Sequence, residues 1–154
     1  MSGILRRWNI LLSRMDKRGV AALEFALVLP MLSILIFGAV EFGIILNQYQ
    51  TLTNATIVGV KQFAFGIGVS PTPYTDARTA ISTAAPRLTP LAIRLFVNAT
   101  ECTSDADCKS KAAAAGSSGY VTVTLSYSCI ADNFLPSLIT IPTTISSQQT
   151  ERIQ

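Results

Sequence analysis

A chain of 154 residues with no histidine has room for one modest domain; the missing imidazole excludes Ser-His-Asp and Cys-His catalysis and histidine-ligated zinc. Hydrophobic residues make up 49% and charged residues 14%, against about a quarter charged in an ordinary soluble domain. The net charge of +3 is unevenly placed: residues 1–19 hold five basic side chains (Arg6, Arg7, Arg14, Lys17, Arg18) and one acidic (Asp16), so the remainder is slightly acidic and offers no nucleic-acid surface.

Residues 1–19 read as a basic leader. Trp8, Ile10, Leu11 and Leu12 make it somewhat amphipathic, so it fits either a cytoplasmic flank or an interfacial helix. Residues 20–46 follow as the dominant feature, with sixteen consecutive uncharged residues at 25–40. As a helix, 20–46 spans about 40 Å, more than the ~30 Å hydrocarbon core requires. Glu24 stands near its start, Glu41 near its end, and Pro30 inside it, where a missing N–H should kink or loosen the helix. Gly38 and Gly43 offer close approach to another helix. Glu41 fits an outer-interface position or a contact with a partner helix.

The helix is expected to continue to about residue 66, where Ser70-Pro71-Thr72-Pro73 closes it and gives a long element over 20–69. A second helix is predicted over 76–85 with Thr75 as N-cap. A strand is predicted over 91–99. A short helix should start after Ser104, with Ser104 and Asp107 as a capping box and Gly116 at its end. Residues 120–129 alternate most clearly: Val121, Val123, Leu125 and Tyr127 on one face, Thr122, Thr124, Ser126 and Ser128 on the other. A last strand or pair of strands is expected within 137–146, interrupted by Pro142, and 147–154 reads as a polar, fraying tail. The fold class is therefore α+β: a long amino-terminal transmembrane helix and a head over 70–154 with a short antiparallel sheet.

Cys102, Cys108 and Cys129 all lie beyond the apolar run, where the leader's charge places them outside the cytoplasm. One bridge is expected. The short acidic loop between Cys102 and Cys108 favours that pair, and Cys129 remains an alternative partner for either. Glu101, Asp105 and Asp107 suggest either a calcium site or a solvated loop; the solvated loop is preferred, with no metal and no cofactor.

The string from Lys17 to Phe25 carries the function. A secretory signal has its cleavage site after the apolar run. Here basic residues, Gly19, and Glu24 five places on all precede it, so a cut would leave the apolar helix on the product. Gly19-Val20-Ala21-Ala22-Leu23-Glu24-Phe25 resembles the prepilin-peptidase motif of type IV pilins. Arg18 through Pro30, with Phe37-Gly38, Glu41-Phe42-Gly43 and Thr53-Asn54-Ala55, resembles the TadE-like pseudopilins of the Tad (tight adherence) secretion system. The resemblance covers about 18–66.

The resemblance implies cleavage between Gly19 and Val20 by a prepilin peptidase. It implies a single-pass inner-membrane protein with its body in the periplasm, and a minor, structural, non-enzymatic role in an Flp-type adhesion pilus. The implied partners are other Tad pseudopilins, the major Flp pilin, the inner-membrane pilus platform and membrane lipid. Cleavage removes the basic leader and frees an amine on Val20, with an ordinary pKa of about 7.7–8.0. A neighbouring subunit's amine can neutralise Glu24 and set axial register; the simpler alternative is that Glu24 reaches headgroup water. Rival readings are an uncleaved assembly component and an anchored periplasmic enzyme or binding protein.

Overall fold

The computed structural model describes residues 17–129 and 143–153. The leader, apart from its last three residues, and residues 137–142 of the strand or strands expected within 137–146 lie outside the described residues. The elements in chain order are helix α1 (Lys17–Val69), helix α2 (Pro73–Ala84), strands β1 (Leu91–Val97) and β2 (Thr100–Cys102), helix α3 (Asp105–Ala115), a 3-10 turn (Gly116–Ser118), and strands β3 (Tyr120–Ser128) and β4 (Thr144–Arg152). The chain divides into two units, Met1–Phe42 and Gly43–Gln154, and α1 enters both. The fold is α+β, with one antiparallel sheet ordered β2-β1-β3-β4.

The second unit is built on a helical stripe. Leu52, Ala55, Thr56, Gly59, Val60, Phe63, Ala64 and Gly66 are buried, and the residues between them are exposed or partly covered. This i, i+3, i+4, i+7 recurrence lays one face of α1 on the core. Residues 43–69 of α1 therefore belong to the compact unit as well as the residues after 70. Phe63 and Leu52 are fully buried, each contributing about 1.5–3 kcal/mol of hydrophobic stabilisation. Thr56 is tolerated in that core because its hydroxyl donates to the Leu52 carbonyl at 2.7 Å. Ala77 and Ile81 of α2, Leu95 and Val97 of β1, and Val121, Val123 and Leu125 of β3 complete the cluster.

Four features differ from the sequence reading: the start of α2, its N-cap, the end of β1 and the extent of β4. Helix α2 begins at Pro73, not at Asp76, and Thr75 is not its N-cap. Proline at the first helical position carries a preset φ and lacks an N–H that would have no intrahelical partner anyway. Strand β1 stops at Val97 instead of running to 99. Asn98 and Ala99 take φ of 44° and 65°, making a two-residue hairpin loop to β2, with Val97 opposite Thr100. Asn98 also binds the start of β3, donating its N–H to the Tyr120 carbonyl and accepting the Tyr120 N–H on Oδ1, both at 3.0 Å.

The fourth difference is the largest. Strand β4 takes in 144–146, the end of the stretch expected to be strand, and runs on through 147–152, read as a fraying tail; it pairs with β3 from Ser128↔Thr144 to Tyr120↔Arg152. Only Ile145 gives it an apolar anchor. The backbone ladder, the buried Ser147, and a 2.8 Å contact between the Thr122 and Thr150 hydroxyls do the rest.

Candidate functional site

The string singled out above lies at the start of α1. The helix begins at Lys17, so the Gly19–Val20 peptide bond sits within its first turn. Glu24 lies four residues after Val20, one turn along the same face. Both Val20 and Glu24 are exposed, and Phe25 is 63% exposed. A Cβ placed on Gly19 would meet no atom within 4 Å, so no described residue packs over the bond. Glycine is about 1 kcal/mol poorer than alanine in a helix, which makes this turn easy to unwind.

Beyond it, over residues 25–42, α1 is largely apolar and uncovered. Its most apolar eighteen-residue window has a mean hydropathy of 2.4, and none of it is buried. Leu27, Met31, Leu35 and Phe42 are each more than 60% exposed. A helix that is hydrophobic all round needs apolar surroundings, and this one is long and apolar enough to cross a membrane. It continues through Pro30 without ending. Proline leaves the Ala26 carbonyl without its usual donor, and one turn later the Ser33 hydroxyl donates to the Leu29 carbonyl at 2.8 Å. Neither Gly38 nor Gly43 has an atom within 4 Å of a built Cβ, so both faces are open to a neighbour. Glu41 is partly covered.

The acidic loop of the second unit has a different use. Cys102 and Cys108 are joined by a disulfide, and Cys129 is a buried thiol whose pKa desolvation raises. The three carboxylates turn to three separate partners. Glu101 pairs with Arg94 at 2.5 Å, and that hydrogen bond holds it below the ordinary carboxylate range. Asp107 accepts from Lys111 Nζ at 2.8 Å and from the Thr103 N–H at 3.0 Å, which lower it likewise. The Ser104 hydroxyl accepts the Asp107 N–H at 3.3 Å, so the capping box is present with its return bond shifted one residue, to Thr103.

Asp105 was missed as a partner because its contacts are some thirty residues away. Its carboxylate accepts from the Tyr74 N–H at 2.8 Å, the Thr75 N–H at 3.1 Å and the Thr75 hydroxyl at 2.7 Å. It thus caps α2, whose own N-cap Thr72 makes no side-chain cap bond. Desolvation alone would raise Asp105, but the bonds from Thr75 and Tyr74 outweigh it and hold the carboxyl below its ordinary 3.8. A group lowered on folding stabilises the fold above its unfolded pKa, and that contribution is lost as pH falls through the folded value. Asp105→Ala is expected to cost about 1 kcal/mol, the worth of a lost cap. Thermal melts between neutral pH and pH ~3 should show the gap between wild type and variant closing at the acid end. Parallel curves would show that the cap is not the source.

Residues 19–60 match the family model described as TadE-like protein. The match covers the start of α1, the whole uncovered apolar stretch and the first buried turns of the second unit. No curated protein and no solved structure matches the chain.

Proposed function

We propose that this chain, TadE-like over 19–60, is a Tad pilus-associated pseudopilin: a minor structural subunit for assembly of a Tad/Flp adhesion pilus rather than an enzyme. It crosses the inner membrane once, with the basic leader in the cytoplasm and the second unit in the periplasm. A prepilin peptidase cuts it between Gly19 and Val20. It then associates with other Tad pseudopilins, the major Flp pilin and the inner-membrane platform through the uncovered helix.

The observation that carries this reading is the coincidence of three features on one segment: the family match, the glycine-to-glutamate spacing, and an apolar helix that no other part of the described chain covers. The five leader cations favour retention on the cytoplasmic side. A disulfide in the second unit suits an oxidising compartment. An uncleaved single-pass assembly component is the second reading, favoured by the helical state of the Gly19–Val20 bond, which a peptidase must unwind.

Co-expression with the matching prepilin peptidase separates the two. Wild type is expected to yield a product beginning at Val20. Gly19→Leu, whose Cβ meets no described atom within 4 Å but which adds bulk at the bond to be cut, is expected to stay full length while remaining anchored. Equal processing of both would remove the role given to Gly19, and no processing of either would favour the uncleaved component.

A further inference from the structure

Where the apolar run ends, the second unit holds a cleft of about 340 Å³ between the 44–51 stretch of α1 and the segment after α2. Ile44 and Leu88 form apolar walls. Asn47, Gln48 and Arg87 bring polar groups to the same opening. No acidic residue lines it. Arg87 is exposed and has no carboxylate partner among the described residues, and the amide hydrogens of Asn47 and Gln48 have no acceptor there. Thr51, also in the lining, donates its hydroxyl to the Asn47 backbone carbonyl at 2.9 Å, with the Asn47 side-chain oxygen 3.4 Å away. Tyr49, 48% exposed, adds an aromatic at the same level, the residue type that favours the headgroup layer.

We propose that this cleft binds the headgroup of an anionic phospholipid, and that Arg87 is its phosphate-binding residue. The inference rests on the membrane-spanning reading of 20–46, which sets Ile44 at the edge of the hydrocarbon and Asn47 among the headgroups. A guanidinium offers two parallel donors to a phosphate, the two carboxamides add uncharged donors, and Ile44 and Leu88 contact the glycerol and first acyl carbons. With no acidic residue in the lining, no negative charge there complements the ammonium of a zwitterionic lipid, so net negative headgroups are preferred. The cleft tethers the second unit at the outer leaflet through lipid, beside the helix that anchors it.

The test uses the full chain in vesicles of equal phosphatidylglycerol and phosphatidylethanolamine, extracted gently, with retained lipid counted by native mass spectrometry. Wild type is expected to retain phosphatidylglycerol preferentially. Arg87→Gln should lower the retained glycerol-to-ethanolamine lipid ratio about fivefold, the effect of one basic residue at an anionic surface. Arg87→Lys should keep most of the preference. No preference in wild type, or the same preference in Arg87→Gln, overturns the proposal. The wild-type comparison decides even if a variant fails to fold. Displacement of the bound lipid by millimolar inorganic phosphate would identify a free-anion site and overturn the lipid assignment. Carbonate extraction separates this from the larger reading: a chain that leaves the membrane defeats the anchor, whereas an anchored chain without lipid preference defeats only the cleft.

Discussion

Glu24→Gln is expected to leave the protein anchored and cleaved while its crosslinking to the other pilins falls about tenfold, the change that about 1.4 kcal/mol produces. The variant keeps the size of the side chain, removes its charge and exchanges one acceptor oxygen for an NH2 donor. Glu24 stands among Ala, Leu, Phe and Val on a stretch of α1 that nothing else in the described chain covers. A lone charge at the centre of a membrane helix costs about 2.5–3.5 kcal/mol on insertion scales, and less near the end. Insertion of the variant should therefore be as good as wild type or better. What it loses is the attraction to the Val20 amine of a neighbouring helix, and with it the preferred axial stagger. Crosslinking yield and pilus output are the two measurements. Normal values in both would leave Glu24 an interfacial or peptidase-recognition role only.

Gly59→Leu is expected to destabilise the second unit by about 3 kcal/mol, the upper part of the range for overpacked cores. Gly59 is buried on the core face of α1, and a Cβ there would come within 2.6 Å of Ile81 Cδ1 and 3.7 Å of Val123 Cγ1. Ile81 is itself fully buried and has no open space to turn into. Glycine is a poor helix former, so its position in the middle of α1 is explained by the close approach of α2 that it permits. Domains of this size are stable by only about 5–15 kcal/mol, so the loss is a large fraction of the total. Chemical denaturation followed by circular dichroism reads it directly. A shift below about 0.5 kcal/mol, the scale of a neutral surface change, would show that Ile81 can move aside.

What could be read from the residues was what local order carries. The uncharged run at 25–40 is legible by its length, which suits a spanning helix, and the alternation at 120–128 by the strand period it repeats; a helix and a strand stand there. The Gly19-to-Glu24 spacing is legible for the same reason, since it is a statement about neighbours in one helix. Asp105 capping α2, and Gly59 facing Ile81, join residues more than twenty positions apart, and nothing in the local string marks them. Strand β4 was hidden because its stability comes from its partner: past Ile145 its sequence is Ser, Gln, Thr and charged residues, and the ladder to β3 supplies what apolar alternation does not. Two local signals were also present: Pro73, which suits a first helical position, and Asn98, since asparagine is among the residues that enter the left-handed region of a hairpin loop most readily.

The position of the amino terminus decides the central claim. Intact mass spectrometry of the protein taken from the native membranes of piliated cells should show a single chain beginning at Val20, lacking residues 1–19, and two hydrogens lighter than the fully reduced form for the Cys102–Cys108 bridge. A chain that still begins at Met1 in those cells would contradict processing at Gly19–Val20 and leave the protein an uncleaved membrane component.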